Sequence, residues 1–258
     1  MNTKRFALQA GLALALGLAI GLAPAPAFAQ DAASAHVSVL KGEKNFLTAY
    51  DPVNRDGTYN VVIEIPAGTT AKYEVDKDTG LMVLEQKNGQ PRYVQYLGYP
   101  ANYGLIPRTV LSKAKGGDGD PVDVIALGPT VPRGSVVRGR AIGMLSLMDN
   151  GEIDDKIIVV MENSPFAKVR SIADLDAKFP GVTGILQTWF TAYKGYGKDG
   201  KLQLSSPGFK GRAETIKFIG DAILDFETSK VTEADRRPLD PKGNPYLYRS
   251  PLAKNLGE

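Results

Sequence analysis

The stretch Tyr59-Asn60-Val61-Val62-Ile63-Glu64-Ile65 opens the β-rich part of this 258-residue chain. Its β-branched residues fit the pleated surface of a sheet, so the stretch predicts a β-strand. A Gly/Pro-bearing turn is predicted at Lys87–Pro91. Many short strands separated by turn residues indicate a closed or strongly curved sheet. The other predicted strands are Ala71–Val75, Leu81–Glu85, Val122–Leu127, Ser135–Leu147 and Lys156–Met161.

Helical periodicity begins only after these strands, which is typical of an α+β domain. One helix is predicted between Val182 and Tyr193, and a second over Ala213–Ser229. The residues predicted to face the core are Val182, Ile185, Leu186, Trp189, Phe190 and Tyr193 in the first helix, and Ile216, Ile219, Ile223 and Phe226 in the second.

Polar composition sets the expected limits of the folded domain. Residues 30–58 are polar and predict a mobile N-terminal extension. Four prolines after Val231 predict an extended or loosely packed C-terminal tail over residues 231–258. The folded domain is therefore expected to span residues 59–230.

The N-terminus has the features of a cleaved export signal. A short positive region, Lys4-Arg5, precedes an apolar run that ends at Ala23, and Ala27-Phe28-Ala29 offers small residues for a signal peptidase. We predict a signal peptide over residues 1–29 and a periplasmic mature protein that starts at Gln30, with no stable association with the membrane. The alternatives are a retained anchor, since about 18 apolar residues can span a bilayer, and a cytoplasmic protein whose leader is not processed.

Residue usage excludes several classes of chemistry. Formal charge is +3 and falls to +1 when Lys4 and Arg5 are removed, and the charges are interspersed, so no basic stripe indicates nucleic-acid binding. Without cysteine there are no disulfides, thiol nucleophiles or thiolate metal sites. The single histidine, His36, argues against a histidine base or a histidine-ligated zinc. Carboxylates, Lys, Arg and Tyr must carry any catalysis.

The segment from Gly116 to Val124 concentrates three carboxylates, Asp118, Asp120 and Asp123. Close like charges repel unless a cation joins them, and oxygen ligands without His or Cys suit Mg²⁺ or Mn²⁺. Strict strand alternation would point Asp123 away from the other two, so convergence depends on the glycine-rich turn. The plain alternative is a solvated turn. An EF-hand loop does not fit, because the sequence has apolar or proline residues where that loop needs ligands.

A second acidic group comprises Asp149, Asp154 and Asp155, followed by Lys156. Alone it is a weak indication, because Asp-Asn-Gly is also a common hairpin turn. Two groups of carboxylates at the strand ends of one small sheet can, however, converge on several metal ions, as phosphoryl transfer requires.

These motifs resemble, in order, those of the soluble family I inorganic pyrophosphatases. The resemblance implies hydrolysis of inorganic pyrophosphate into two phosphates. It also implies a small closed OB-like β-barrel with two or three helices packed outside, and a homo-oligomer, hexamers being common among relatives. The resemblance runs from about Tyr59 to Lys194 and rests on Val61–Pro66, Lys72–Asp76, Tyr99–Gly104, Asp118–Asp123, Asp149 with Asp154-x-Lys156, and Tyr193-Lys194.

The resemblance further implies a role for each candidate residue, with Mg²⁺ as cofactor and Mn²⁺ as an alternative. Asp120 is similar to the general base that takes a proton from the attacking water. The implied metal ligands are Asp118, Asp123, Asp154, Asp149 and Glu74. The implied phosphate-binding residues are Lys72, Arg92, Tyr103, Tyr193 and Lys194, and the implied supporting residues are Glu64, Tyr99 and Lys156.

Two departures from the family pattern stand out. The segment from Arg92 to Tyr99 is one residue shorter than in typical members, and Asn150 occupies a position where many members have a second acid. Two other functions remain open at this stage. One is a non-catalytic protein of the same fold that binds divalent metal and phosphate, and the other is a phosphohydrolase acting on nucleotides or polyphosphate.

Overall fold

The computed structural model of the protein describes residues 38–149 and 151–229. Within these ranges the chain forms twelve β-strands and three α-helices. The strands are β1 (Val39–Leu40), β2 (Tyr59–Ile65), β3 (Tyr73–Val75), β4 (Met82–Leu84), β5 (Gln86–Lys87), β6 (Gln90–Pro91), β7 (Asn102–Leu105), β8 (Asp123–Leu127), β9 (Val136–Asp149), β10 (Glu152–Ile153), β11 (Lys156–Met161) and β12 (Leu204–Gly211). The helices are α1 (Ile172–Lys178), α2 (Val182–Ala192) and α3 (Arg212–Thr228).

Five strands close into a barrel. β9 pairs with β11, β11 with β8, β8 with β7, β7 with β2, and β2 returns to pair with β9. The β11–β8 pairing is parallel, and the other four pairings of the ring are antiparallel. Closure depends on β9, whose 14 residues pair near their start with β2 and further along with β11. The closed ring with three helices in the described chain confirms the α+β fold built on a small OB-like barrel.

Apolar residues cover both faces of the barrel strands. Alternate residues of β8 and β11 belong to two different core clusters, one packed against α2 and the other against α3. Leu186 and Phe190 of α2 are buried as predicted, whereas Ile185 is 60% exposed. Ile216 at the start of α3 is also largely outside the core. Each lies at the edge of its apolar stripe, beyond the width of helix that the barrel surface can cover.

The predicted N-terminal extension is partly folded in the structure. Residues 38–58 contain β1, which joins a small sheet of order β1-β4-β3, and Val39 of β1 pairs with Val83 of β4. Phe46 is 1% exposed and packs with the apolar side of this sheet. The expectation of mobility was therefore wrong for this part, because two apolar residues, Phe46 and Leu47, bury against the domain.

The predicted turn at Lys87–Pro91 is the tip of a hairpin formed by β5 and β6. Asn88 and Gly89 both have positive φ, as a two-residue hairpin turn of the Asn-Gly type requires. The predicted signal peptide and C-terminal tail lie outside the described residues. Within the described ranges, no helix combines the length and apolar character needed to cross a membrane.

Candidate active site

A polar cleft of about 190 Å³ lies where the candidate residues meet. It brings together side chains from the barrel strands β2, β7, β8, β9 and β11, from β3, and from the segment after α2. Thirteen of the fourteen candidate residues line it: Glu64, Lys72, Glu74, Arg92, Tyr103, Asp118, Asp120, Asp123, Asp149, Asp154, Lys156, Tyr193 and Lys194. Tyr99 is buried behind the cleft instead.

The loop before β8 turns its three aspartates into the cleft. Gly119 has φ +86°, a left-handed conformation that suits glycine, and Asp120 N–H donates to Asp118 Oδ1 at 2.8 Å. The backbone of Leu111 holds the loop from behind, donating to Asp120 O at 2.7 Å. Burial raises the pKa of Asp118; the hydrogen bond from Asp120 N–H opposes this rise, and the negative charges of Asp120 and Asp123 add to it. Asp123 therefore joins the other two acids despite the alternation of a regular strand.

Lys156 connects the two acidic groups. Its Nζ is 2.5 Å from both Asp123 Oδ2 and Asp154 Oδ1, and its side chain is 4% exposed. Burial alone would lower the pKa of Lys156, but the two carboxylates outweigh it, so the pKa is raised above its usual value. Burial also raises the pKa of Asp154, against the opposing effect of Lys156. Asp123 begins β8 and Asp154 lies between β10 and β11, and a single ammonium holds the two acids together.

Three further acids of the cleft also face a cation. Lys72 pairs with Glu74, and Lys194 pairs with Asp149. Lys77 pairs with Asp120 through Oδ1, which accepts no other hydrogen bond from the described residues. Lys77 was missed by the sequence analysis, because no pattern separates it from the other surface lysines of the chain.

Arg92 lines the cleft despite the shortened segment that follows it. Its Nη1 lies 2.6 Å and 2.7 Å from the two carboxylate oxygens of Glu85, which fixes the guanidinium at the rim. The hairpin formed by β5 and β6 separates these two residues in sequence, so it is the turn that brings them together.

An aromatic wall closes one side of the cleft. Tyr99 packs on Trp189 with ring centroids 4.4 Å apart, and Trp189 stacks on Tyr193 at 4.7 Å. Tyr103 packs on Tyr99 at 5.1 Å and reaches the cleft. Burial raises the pKa of Tyr103 well above its usual value, so the phenol stays neutral and can donate a hydrogen bond. Tyr99 thus supports the phenols that reach the cleft, without reaching it.

The donor set of the cleft suits a hard divalent cation. Glu64, Glu74 and five aspartates line it, and all offer carboxylate oxygens, the ligands that Mg²⁺ and Mn²⁺ prefer. Within the described ranges no three acidic groups stand close enough together to hold one ion jointly. Lysine ammoniums lie between them at several points. The carboxylates of the cleft are suitable ligands for a divalent cation, and the lysine ammoniums compete with such a cation for them.

Glu64 is the most deeply buried acid of the cleft, and burial raises its pKa to about 8. Lys72 opposes this rise, while Asp123 and Glu74 add to it. Because the folded state holds this proton more tightly than the unfolded chain, the Glu64 contribution to unfolding free energy falls as pH rises from about 4.5 to about 8.

Glu64→Gln is expected to remove that pH dependence. Glutamine stays neutral and keeps an acceptor for Val75 N–H, which donates to Glu64 Oε1 at 2.7 Å. In EDTA, the unfolding free energy of the variant relative to that of the wild type should rise by a few kcal/mol from pH 5 to pH 8. Urea unfolding at each pH measures this gain. A constant difference between the two proteins would show that Glu64 does not titrate in this range.

Comparison with known proteins gives a consistent result. A family model described as "Inorganic pyrophosphatase" matches residues 61–227. The chain is 36% identical over 200 residues to the inorganic pyrophosphatase of Zygosaccharomyces bailii, covering 72% of this chain and 69% of that protein. It is 39% identical over 169 residues to that of Gluconobacter oxydans, covering 64% and 88%. The structure of inorganic pyrophosphatase from Schistosoma japonicum matches with a TM-score of 0.63 and 30% identity, covering 75% and 74%. Against three of the curated relatives, the match spans 53% to 69% of the relative's length.

Proposed function

The chain belongs to the inorganic pyrophosphatase family, and on that premise we propose that it hydrolyses inorganic pyrophosphate to two phosphates, with Mg²⁺ as cofactor. The observation that carries the proposal is the gathering of acidic and basic side chains from distant segments around one cleft. Asp118, Asp123, Asp154, Asp149 and Glu74 would hold the cations. Bound Mg²⁺ supplies charge neutralisation and lowers the pKa of water towards about 7.

The charge of the cleft explains why the substrate requires cations. Seven acids line it against five cations, namely Lys72, Lys77, Arg92, Lys156 and Lys194. Pyrophosphate carries roughly two to three negative charges at neutral pH, so an acidic cleft repels it unless divalent ions reverse the balance. The protonation of Glu64, whose pKa is about 8, removes one negative charge near neutral pH but leaves the acids in excess.

We assign the role of general base to Asp120. Its Oδ1 faces the Lys77 ammonium and accepts no other hydrogen bond from the described residues, so it can take a proton once that side chain moves aside. A carboxylate positioned in this way takes a proton from the attacking water as the new P–O bond forms. Glu64, by contrast, is kept protonated near neutral pH by burial, which raises its pKa to about 8, and it is a supporting residue.

The cations and phenols of the cleft bind and orient the phosphates. Lys72, Arg92 and Lys194 carry the positive charge that stabilises the leaving phosphate. Tyr103 and Tyr193 add neutral donors from the aromatic wall. The Nζ atoms of Lys72 and Lys156 lie 5.8 Å and 5.9 Å from the centre of the Tyr103 ring, so this phenol is close to two of the cations of the cleft.

Phosphate release from pyrophosphate tests the proposal. The purified protein is expected to release phosphate with Mg²⁺ present and to lose at least 100-fold of that rate in EDTA, with recovery when Mg²⁺ is restored. ATP and tripolyphosphate serve as competing substrates. No turnover of any of the three, with metal binding intact, would favour the non-catalytic alternative, and faster turnover of ATP would favour a nucleotide hydrolase.

Location and assembly form a second part of the proposal. The N-terminal leader supports export to the periplasm, with a mature N-terminus at Gln30 that sequencing of the secreted protein would reveal. The family resemblance alone supports a homo-oligomer, because singly exposed apolar side chains such as Leu97 and Ile185 are also normal on monomers. Light scattering measures the molar mass in solution, and a monomer would contradict the proposed homo-oligomer.

A further inference from the structure

Asp155 is a buried acid that the proposed mechanism does not use. It stands between Asp154 and Lys156, which both line the cleft, but its own side chain points to the other face and is 3% exposed. Its carboxylate accepts hydrogen bonds from Ser146 Oγ at 3.0 Å, from Leu147 N–H at 2.9 Å and from Lys210 Nζ at 2.9 Å. A charge this deep in the protein needs such partners.

These contacts tie three strands together at the entrance of β11. Ser146 and Leu147 belong to β9, and Lys210 belongs to β12, which pairs with β9 on its other side. Leu147 makes two hydrogen bonds to this segment: its N–H donates to the Asp155 carboxylate, and its carbonyl accepts from Asp154 N–H at 3.0 Å. The backbone on both sides of the Asp155 side chain is therefore fixed to β9.

Stability alone does not account for this arrangement. An ion pair with a buried partner adds little net stability compared with apolar side chains of the same volume, because the buried charge, here Asp155, loses its hydration. The same contacts do, however, set the position of the residues next to them. Asp154 and Lys156 make the contact between the two acidic groups of the cleft, and their backbone is the part that Asp155 holds.

We propose that Asp155 is a positioning residue for the cation-binding side of the cleft, with Ser146 and Lys210 as its partners. A hydrogen-bond acceptor at position 155 sets the affinity of the cleft for divalent cations. The biological meaning of this inference rests on the proposed function. Outer residues that orient metal ligands typically change metal affinity by 10- to 100-fold when they are removed.

The test compares two double variants that both remove the Asp155–Lys210 ion pair. Asp155→Asn with Lys210→Met keeps an acceptor for Leu147 N–H, whereas Asp155→Leu with Lys210→Met removes the acceptor but keeps apolar volume. Mn²⁺ alone is titrated and followed by electron paramagnetic resonance, and thermal unfolding is measured in EDTA. The Leu variant is expected to lose at least 10-fold in Mn²⁺ affinity, and the Asn variant to stay within about threefold of the wild type.

Asp221→Asn is the matched control, since this aspartate pairs with Lys217 on the exposed surface of α3, away from the cleft. Its Mn²⁺ affinity is expected to equal that of the wild type. A Leu variant that binds Mn²⁺ as tightly as the wild type would overturn the inference. If that variant does not unfold cooperatively, Asp155→Ala with Lys210→Met, which also removes the acceptor, replaces it. A loss of at least 10-fold in Mn²⁺ affinity then supports the inference, and an unchanged affinity overturns it.

Pyrophosphate hydrolysis is recorded separately for every variant. If the wild type binds Mn²⁺ and the variants lose affinity as expected, but no protein hydrolyses pyrophosphate, the proposed function fails while the role of Asp155 stands. If hydrolysis is normal in the wild type and the Leu variant keeps its Mn²⁺ affinity, the proposed function stands and the role of Asp155 fails.

Discussion

Replacing Asp120 by Asn is expected to lower kcat for pyrophosphate by about 10²- to 10⁴-fold, the range that a positioned general base contributes. The amide has nearly the same shape, so the loop before β8 should keep the hydrogen bond from the residue 120 N–H to Asp118. The side-chain amide of the Asp120→Asn variant cannot take a proton from water at neutral pH. Steady-state phosphate release at saturating Mg²⁺ measures the loss.

Two further measurements show whether this loss comes from chemistry. Thermal unfolding in EDTA and Mn²⁺ affinity are expected to change little in Asp120→Asn, because the cation ligands are assigned to other acids. Asp78→Asn is the matched control, being an exposed aspartate that does not line the cleft. A turnover within threefold of the wild type would remove Asp120 from the role of base.

Replacing Lys156 by Met is expected to give the largest effect on stability. The variant leaves Asp123 and Asp154 facing each other in a partly buried site without the ammonium that joins them. Removing one partner of a buried ion pair costs about 3–5 kcal/mol. For a domain of this size, that corresponds to a fall in Tm of about 10 °C in EDTA. Turnover is also expected to fall, because the phosphate site loses a cation.

The response of this variant to Mg²⁺ separates a charge effect from a packing effect. A divalent cation can replace the missing positive charge, so Mg²⁺ should raise the Tm of Lys156→Met by more than that of the wild type. Lys217→Met, at an exposed pair on α3, should change stability by less than about 0.5 kcal/mol and respond to Mg²⁺ as the wild type does. Equal Mg²⁺ responses of Lys156→Met and wild type would contradict this account.

Strands with continuous β-branched runs were predictable from the sequence. β2 and β11 have the bounds that were predicted, because nearly every residue in them is apolar and buried on one face or the other. β7 was missed because Asn-Tyr-Gly-Leu carries no such run. Its glycine serves the close approach of two strands, since a Cβ on Gly104 would lie 1.8 Å from Val62 O.

Two other elements were missed for different reasons. β12 contains Pro207 and Gly208 at an irregularity in its pairing with β9, and both residues normally argue against a strand. α1 has seven residues, too few to show a helical period, and its start depends on Ser171, which accepts from Asp174 N–H. Long-range pairing and capping decide these elements, and neither is visible in local composition.

The candidate site followed from the family resemblance more than from spacing. Local patterns placed Asp118, Asp120 and Asp123 in one loop but could not tell that the last of them turns inward. The second acidic group was predicted as a unit, whereas the structure sends Asp154 and Asp155 to opposite faces, as alternation at a strand entrance dictates. The pairing of Lys77 with Asp120 needed the fold itself, because it joins two loops that are far apart in sequence.

Pairing of β2 with β9 closes the barrel, and this step determines when during folding the catalytic cleft is assembled. Residues near the start of β9 must find partners in β2 about 80 positions earlier, which raises the contact order and slows the search. Glu64 lies in β2 and Lys194 lies beyond β9 in sequence, yet both line the same cleft. Partly folded chains therefore carry no assembled catalytic centre, and recovery of enzymatic rate during refolding would report the final joining of the barrel.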